Sequence, residues 1–512
     1  IKFPPNIFDT MVASWLLDTE NEHGLKPLAK RYLDHEMVEL KDITPRERHP
    51  VTNDWVYRTD LVDIETLGGY AVDDVVQPIR LMYYFLPLLE RDGLMKVFCE
   101  LEMPKVFILN EMEMRGVKLD TEELSKHLAE APSRIEKVEK KMISLRPNKK
   151  PFNANSPKQL NEVLFDEIGI KPIGEKGKSG LYSTSRENMD KWVGEHDIVE
   201  AILEYRSLTR LMGTYLKGLS KRVGGDGRIR TRYNQILTTG RLSSSSPNLQ
   251  NIPRPDKDVF GLRGLFVAEE GWKLVVADYS QIELRVLAHI SRDPVFIESF
   301  KKGVDLHSFA AKVLFDLEES VEEVKKYHPE YRNVGKTFNF ATVYEAGIRT
   351  LATQAKVSEA RAKDLRARYF SQFKGIRSYI EAMHNKAEQL GYVTTITGRR
   401  RHLVDAQLKG RSRRENALKS SAFRQSSNSP VQGSAADVLF VAMRNIYNRL
   451  EEEGLSEKAR IVLQVHDELL VECKEDIVDY IAKLVKEEME NAVELRVPLV
   501  ADVGIGDRWS DV

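Results

Sequence analysis

A chain of 512 residues is too long for one ordinary core and predicts roughly two to four domains, while 42% hydrophobic and 30% charged residues exclude a disordered chain. The formal net charge of −1 announces no polyanionic partner, although phosphate binding needs only a local basic stripe. Two cysteines, Cys99 and Cys473, each in an apolar stretch, read as buried thiols in a reducing compartment and exclude a disulfide framework or a zinc site.

No uncharged run approaches bilayer length and no signal-peptide pattern opens the chain, so an intracellular protein with no membrane partner is expected. The first residue is Ile1 rather than Met, which predicts that something upstream has been removed. The first ninety or so residues mix short apolar runs with helical spacing, at Phe8 to Leu17 and Ala71 to Leu89, and read as part of an α/β unit. From Leu94 long helices follow; Glu113 to Gly116 closes one, and Asp120 with Glu123 supplies a capping box for the next. Arg134 to Leu145 is highly charged and reads as an exposed arm. Strand-like runs lie at Arg228 to Tyr233, Lys273 to Ala277, Ile461 to Val465 and Leu469 to Cys473, with a helical region from about Pro294 to Ala417 inserted between the second and third. Between Arg399 and Arg424 runs a basic stripe opposed only by Asp405 and Glu415, whose plain reading is a solvated surface.

The chemistry sits on those strands. Trp272 to Ala277 is an apolar strand that ends in Asp278, and Gln281 to Ile290 then takes helical spacing, which places the acid at a sheet edge where it can hold an ion. Ile461 to Cys473 reads as two strands meeting at a tight turn that carries His466, Asp467 and Glu468. Magnesium takes one or two carboxylates and completes its shell with water and phosphates, and two such ions ~4 Å apart serve an in-line displacement. Each acid alone is as well explained as a turn residue bonded to local backbone. The two together with the next feature favour an ion site.

Arg332, Lys336, Phe340 and Tyr344 recur every four residues and share one helical face, with two cations for phosphates and two rings for base and sugar. An amphipathic helix with snorkelling Arg and Lys is the alternative. Thr238 to Pro253 is a polar, turn-rich loop, and with Asn428 and Gln432 it offers donors able to reach the minor-groove acceptors shared by correct base pairs.

The segments Val276-Ala-Asp278-Tyr-Ser-Gln-Ile-Glu283-Leu-Arg285, Arg332-x3-Lys336-x3-Phe340-x3-Tyr344 and Val465-His466-Asp467-Glu468 resemble the three signature motifs of family A DNA polymerases, in order and spacing. The loop Thr239-Gly-Arg241-Leu-Ser and the segment Asn428-Ser-Pro-Val-Gln432-Gly resemble that family too. The resemblance implies a mixed α+β, right-hand fold: thumb at 93–225, palm at 226–292 and 418–512, fingers at 293–417, preceded at 1–92 by part of a ribonuclease H-like 3′–5′ exonuclease domain. It further implies a monomeric DNA-directed DNA polymerase that takes primer-template DNA and deoxynucleoside triphosphates with two Mg2+ ions. Asp278, Tyr279 and Asp467 would hold the metals, with Glu468 and Lys336 assisting catalysis. Arg332, Lys336, Phe340, Tyr344, His307, Glu283 and Gln281 would meet the nucleotide, and Arg241, Asn251, Arg285, Arg424, Asn428, Gln432 and His466 the DNA.

One departure is plain: Glu345 follows Tyr344, where the family usually has Gly. A single-subunit RNA polymerase would share the aspartates, but the family counterpart of Glu283 fills the space of a ribose 2′-hydroxyl, which favours DNA. A non-catalytic scaffold on primed DNA would need a broken metal site. A proofreading nuclease is disfavoured as well. Tyr70-Ala-Val-Asp-Asp74 resembles that domain's last acidic motif and Ile7-Phe-Asp-Thr-Met11 the stretch after its middle one, whereas the first motif is expected to precede Ile1. Asp63-Ile-Glu65-Thr66 has the right letters, but a helix is expected there.

Overall fold

The computed structural model describes residues 7–50, 55–253 and 258–512. At its centre is a four-stranded antiparallel sheet of β1 (Trp272–Tyr279), β2 (Ala459–Val465), β3 (Glu468–Lys474) and β4 (Ala501–Gly506), in the order β2-β3-β1-β4. Because successive strand residues point to opposite faces, Val275, Ala277, Leu469 and Val471 enter one core while Leu274, Val276, Leu463 and Leu470 enter another. The sheet is therefore covered on both sides, and its acids are left at its end.

The helices that build around it are α1 (Ile64–Arg91), α2 (Met103–Arg115), α3 (Thr121–Ser144), α4 (Ile282–Ser291), α5 (Leu306–Phe315), α6 (Pro329–Val343), α7 (Lys374–Leu390), α8 (Arg413–Glu452) and α9 (Val478–Glu490). The first core joins α4, α8 and α9 to the sheet and runs outward through α5, α6 and α7. The second joins the opposite face to α3 and its partner helix Asp197–Arg210. The expected helical insertion between the strands is present, interrupted by a hairpin of Tyr392–Thr394 and Arg400–His402. The boundary expected at 417/418 falls inside α8, a single 40-residue helix. None of the helices among the described residues is long and apolar enough to cross a membrane.

Several expectations need correction. The first ninety residues show helices Thr10–Leu17, Leu25–Leu33 and α1, with only a two-stranded pairing of Arg46–Arg48 and Trp55–Tyr57, so no wider sheet is present among the described residues. Asp63 caps α1 by accepting from the Thr66 N–H at 2.8 Å, which confirms a helix start at that acidic sequence. Arg134 to Leu145 is no arm: α3 buries Leu124, Ala131, Val138 and Met142 on one face, because apolar residues at a helical spacing suffice for one packed stripe. Asp120 caps it as expected, accepting from the Glu123 N–H at 2.9 Å, while the Glu123 carboxylate turns to Lys126. Cys99 is exposed; only Cys473 is buried, and burial pushes its thiol up to about 12.

The basic stripe is a solvated face from Lys409 onward, where Lys409, Arg411, Arg413, Arg414 and Arg424 are exposed, but its first three arginines turn inward. Arg399, 2% exposed, donates to Asp437 at 2.6 Å and to the Gly433 carbonyl at 3.1 Å. Arg400 donates to the Asp92 carbonyl at 2.8 Å, and Arg401 pairs with Glu20 and donates to Gln425. These three arginines fasten the hairpin to Glu20, to Asp92 just past α1, and to α8.

Candidate active site

Asp278 lies one residue before the end of β1, in register with Glu468 on β3 and Asp502 on β4. Asp467 sits in the turn from β2 to β3, which His466 makes tight by taking φ +56°. The Tyr279 N–H donates to the Asp467 carbonyl at 3.2 Å, so the end of β1 and the tip of the turn meet. Asp278, His466, Asp467, Glu468 and Asp502 line one cleft of about 490 Å³. Asp278 is exposed and Asp467 half-buried, so both carboxylates are reachable from it.

Glu468 is anchored to the cleft wall, accepting from the Trp509 indole at 2.6 Å and from Arg263 at 3.4 Å. The Tyr279 phenol is buried and donates to the Met489 carbonyl at 2.6 Å, which leaves only the Tyr279 backbone for an ion. Among the described residues no three His, Cys, Asp or Glu side chains converge closely enough to enclose a metal. Two aspartates beside an open cleft nevertheless fit magnesium, which takes one or two carboxylates and draws its remaining ligands from water and phosphate.

Helix α6 begins at Pro329, whose missing N–H costs nothing at a first turn. Along the expected face Arg332 donates to Asp305 at 2.7 and 3.2 Å, Lys336 is exposed, Phe340 is half-buried, and Tyr344 caps the end. His307 lies beneath on α5, 4% exposed, 5.8 Å from the Phe340 ring between centroids, and its Nδ1 accepts from the Asn339 amide at 3.0 Å. Burial pushes its imidazole down to about 4, so at neutral pH the ring carries no charge.

Opposite, the Tyr344 hydroxyl donates to Glu283 at 3.0 Å and accepts from Gln432 at 3.2 Å, and Arg241 donates to the other Glu283 oxygen. Burial and the Glu283 charge push the Tyr344 phenol above its ordinary value. Four residues read from four separate motifs thus form one polar cluster. Asn428 lies one turn before Gln432 on α8; its Oδ1, like Gln281 Oε1 at the start of α4, is buried without a hydrogen-bond partner. Asn251 and Arg424 are exposed, as is His466.

Arg285, expected at the DNA, is turned into the protein. It is buried, donates to the carbonyls of Ser280 at 2.7 Å and Pro498 at 2.6 Å, and lies over the Phe300 ring, so it fixes the entry to α4. The sequence reading missed Asp502, whose only local signal is an acid in the alternating run Leu499 to Gly506, and it missed Arg263 and Trp509, which orient Glu468.

The sequence profile described as "DNA polymerase family A" matches residues 121–511. The chain belongs to DNA polymerase family A. A second profile, described as "3′-5′ exonuclease", matches residues 1–90. As a family A chain it is 39% identical over 508 residues to DNA polymerase I of Geobacillus stearothermophilus, covering 99% of this chain and 55% of that protein. It is 41% identical over 420 residues to the thermostable DNA polymerase I of Thermus aquaticus, covering 82% and 49%. The chain thus spans about half the length of these curated relatives. Among solved structures, the POL domain of Pol1 from M. smegmatis, in complex with DNA primer-template and dNTP, superposes with a TM-score of 0.84 at 34% identity, over 98% of this chain and 82% of that one.

Proposed function

We propose that this chain is a template-directed DNA polymerase acting as a monomer on primer-template DNA, with the thumb, palm and fingers at the boundaries given above. The observation that carries it is the Tyr279–Asp467 backbone bond, which brings Asp278 and Asp467 to one cleft, while Glu283, five residues past Asp278, bonds Tyr344 at the end of α6. Asp278 and Asp467, with the Tyr279 backbone, are the residues to hold two magnesium ions. When bound, such ions lower the pKa of the attacking hydroxyl and stabilise charge on the leaving oxygen.

The primer 3′-oxygen forms a bond to the α-phosphorus as its proton departs, and the bond from that phosphorus to the bridging oxygen breaks, releasing pyrophosphate. Lys336 and Arg332 offer fixed positive charge to the triphosphate, with Asp305 orienting the Arg332 fork. Glu283, held between Arg241 and Tyr344, is placed to exclude a 2′-hydroxyl. Arg241, Asn428 and Gln432 supply minor-groove donors that test base-pair shape without reading sequence. The same metal logic would serve an RNA polymerase, and Glu283 favours the DNA reading. The test is primer extension on DNA and RNA templates with deoxy- and ribonucleotides in parallel. Extension on DNA with deoxynucleotides is expected; no magnesium-dependent extension, or a preference for ribonucleotides, would overturn the reading.

A further inference from the structure

Glu345 follows Tyr344 at φ +46°, in the left-handed region where a side chain brings backbone strain and glycine does not. Such a conformation persists when its surroundings hold it. Here Glu345 Oε1 lies 2.7 Å from Nε2 of His384 on α7, with the two side chains only 20% and 27% exposed. The His384 ring in turn stacks on Phe423 of α8, centroids 4.7 Å apart and planes 15° from parallel. Helix α7 is itself fixed to α8, since buried Tyr379 donates to the Ser427 carbonyl at 2.7 Å. Further along α8, Gln432 bonds the Tyr344 hydroxyl. The contacts close a ring: from Tyr344 through Gln432, α8, Phe423 and His384 to Glu345, and back along the backbone.

Packing alone does not hold this end of α6. A cavity of about 340 Å³ opens beside Glu345, lined by Thr342, Gly347, Phe370 and Arg377 among others, so the segment has room to shift. A polar contact with space beside it, attached to a strained residue, is a tether.

We propose that Glu345 and His384 are positioning residues for nucleotide selection, holding Tyr344 in one place between Glu283 and Gln432 so that the site keeps one shape. A mismatched pair needs a different shape from a matched one, and a site free to repack accepts both more equally. Tyr344 meets the nucleotide; Glu345 and His384 act through it.

The inference rests on the nucleotide-site reading above, and the two fail differently. A parent chain that does not extend a primer sinks that reading, whereas an extending chain whose errors ignore the tether sinks this one. The experiment is single-nucleotide insertion on one primed DNA template with each of the four deoxynucleotides, comparing the parent with Glu345→Gly, His384→Ala, both together, and Glu345→Gln. Each single variant is expected to raise misinsertion about fivefold, an effect of the size found for residues coupled to a site without touching its ligand. The kcat for correct insertion should stay within about twofold, the double variant should be no worse than either single, and Glu345→Gln, which keeps an acceptor for His384, should match the parent. Glu345→Gly relieves backbone strain, so folding does not confound it; thermal unfolding checks His384→Ala. Unchanged misinsertion in Glu345→Gly, effects that multiply in the double variant, or a Glu345→Gln as error-prone as Glu345→Gly would overturn the tether.

Discussion

Asp278 on β1 and Asp467 in the β2–β3 turn are 189 positions apart in sequence, yet one backbone bond seats them together, so the cleft's charge is set by sheet register rather than by local sequence. If both hold ions whose contribution is made in the transition state, Asp278→Asn or Asp467→Asn should lower primer extension at least about a hundredfold. Primed-DNA affinity, which rests mainly on phosphate contacts elsewhere, should change little. Extension kinetics beside a gel-shift titration decide this, and near-normal extension by either variant would discard the site. Glu283 answers to a different measure. Its carboxylate is fixed by Arg241 and Tyr344, so it presents a defined wall. Glu283→Ala should relax discrimination against ribonucleotides by roughly tenfold or more, the range expected of a steric contact of about 1–3 kcal/mol. Competition between deoxy- and ribonucleotides on one template reads it, and unaltered discrimination places the gate elsewhere.

At the scale of elements, α6 is positioned by a glycine. A Cβ on Gly335 would lie 2.2 Å from the His307 carbonyl and 2.8 Å from the Ala311 nitrogen, so α5 and α6 touch backbone to backbone there. Alanine gains ~1 kcal/mol of helix propensity over glycine. Overpacking costs about 1–3 kcal/mol and more when neither neighbour can yield, so the clash wins. Gly335→Ala should therefore lower the thermal midpoint and raise KM for the nucleotide, because α6 carries Arg332 away from Asp305. A midpoint equal to or above the parent's would show that the helices can part cheaply. Legibility in sequence divides along the same line. Strand β1 and the turn at Asp467 were readable because an apolar run ending in an acid is a local pattern. Strand β4 was not, because Gly504 and Gly506 weaken its alternation; they are there because the tail at Val512 and Asp511 lies where their side chains would be. The inward turn of Arg399, Arg400 and Arg401 was equally hidden, since their partners Asp437, Asp92 and Glu20 are distant in the chain. Likewise the five motifs were legible one by one, while the burial of Arg285 and the register of Asp502 belong to pairings that no window of sequence contains.

The whole molecule is held around its sheet by charge as well as by the apolar cores on the sheet's two faces. Arg228 is buried; its guanidinium donates to the carbonyls of Arg115 and Gly116 at the end of α2, to Glu269 at 2.8 Å and to Glu472 on β3 at 2.7 Å. Glu472, 1% exposed, also accepts from Arg460 at 2.9 Å. This moors the strand that begins at Glu468 to the base of the neighbouring helical unit. Burial pushes the Glu472 carboxyl up more than any other single influence, but the Arg228 and Arg460 donors together outweigh it and hold the group below its ordinary value. A carboxyl whose folded pKa is depressed binds its proton more readily when unfolded. Its stabilisation is therefore complete above the unfolded value, ~4.3, and is lost as pH falls through the lower folded value. Glu472→Gln removes the charge and leaves Arg228 buried with the more exposed Glu269 as its remaining acid, which should cost about 3–5 kcal/mol at pH 7. A protonated glutamic acid is close to a glutamine in shape and charge, so the gap between parent and variant should narrow as pH drops below ~4. Urea unfolding of both chains at pH 7 and at about pH 3.5 measures the two gaps. Equal gaps at the two pH values would mean that Glu472 acts through packing and not through its charge.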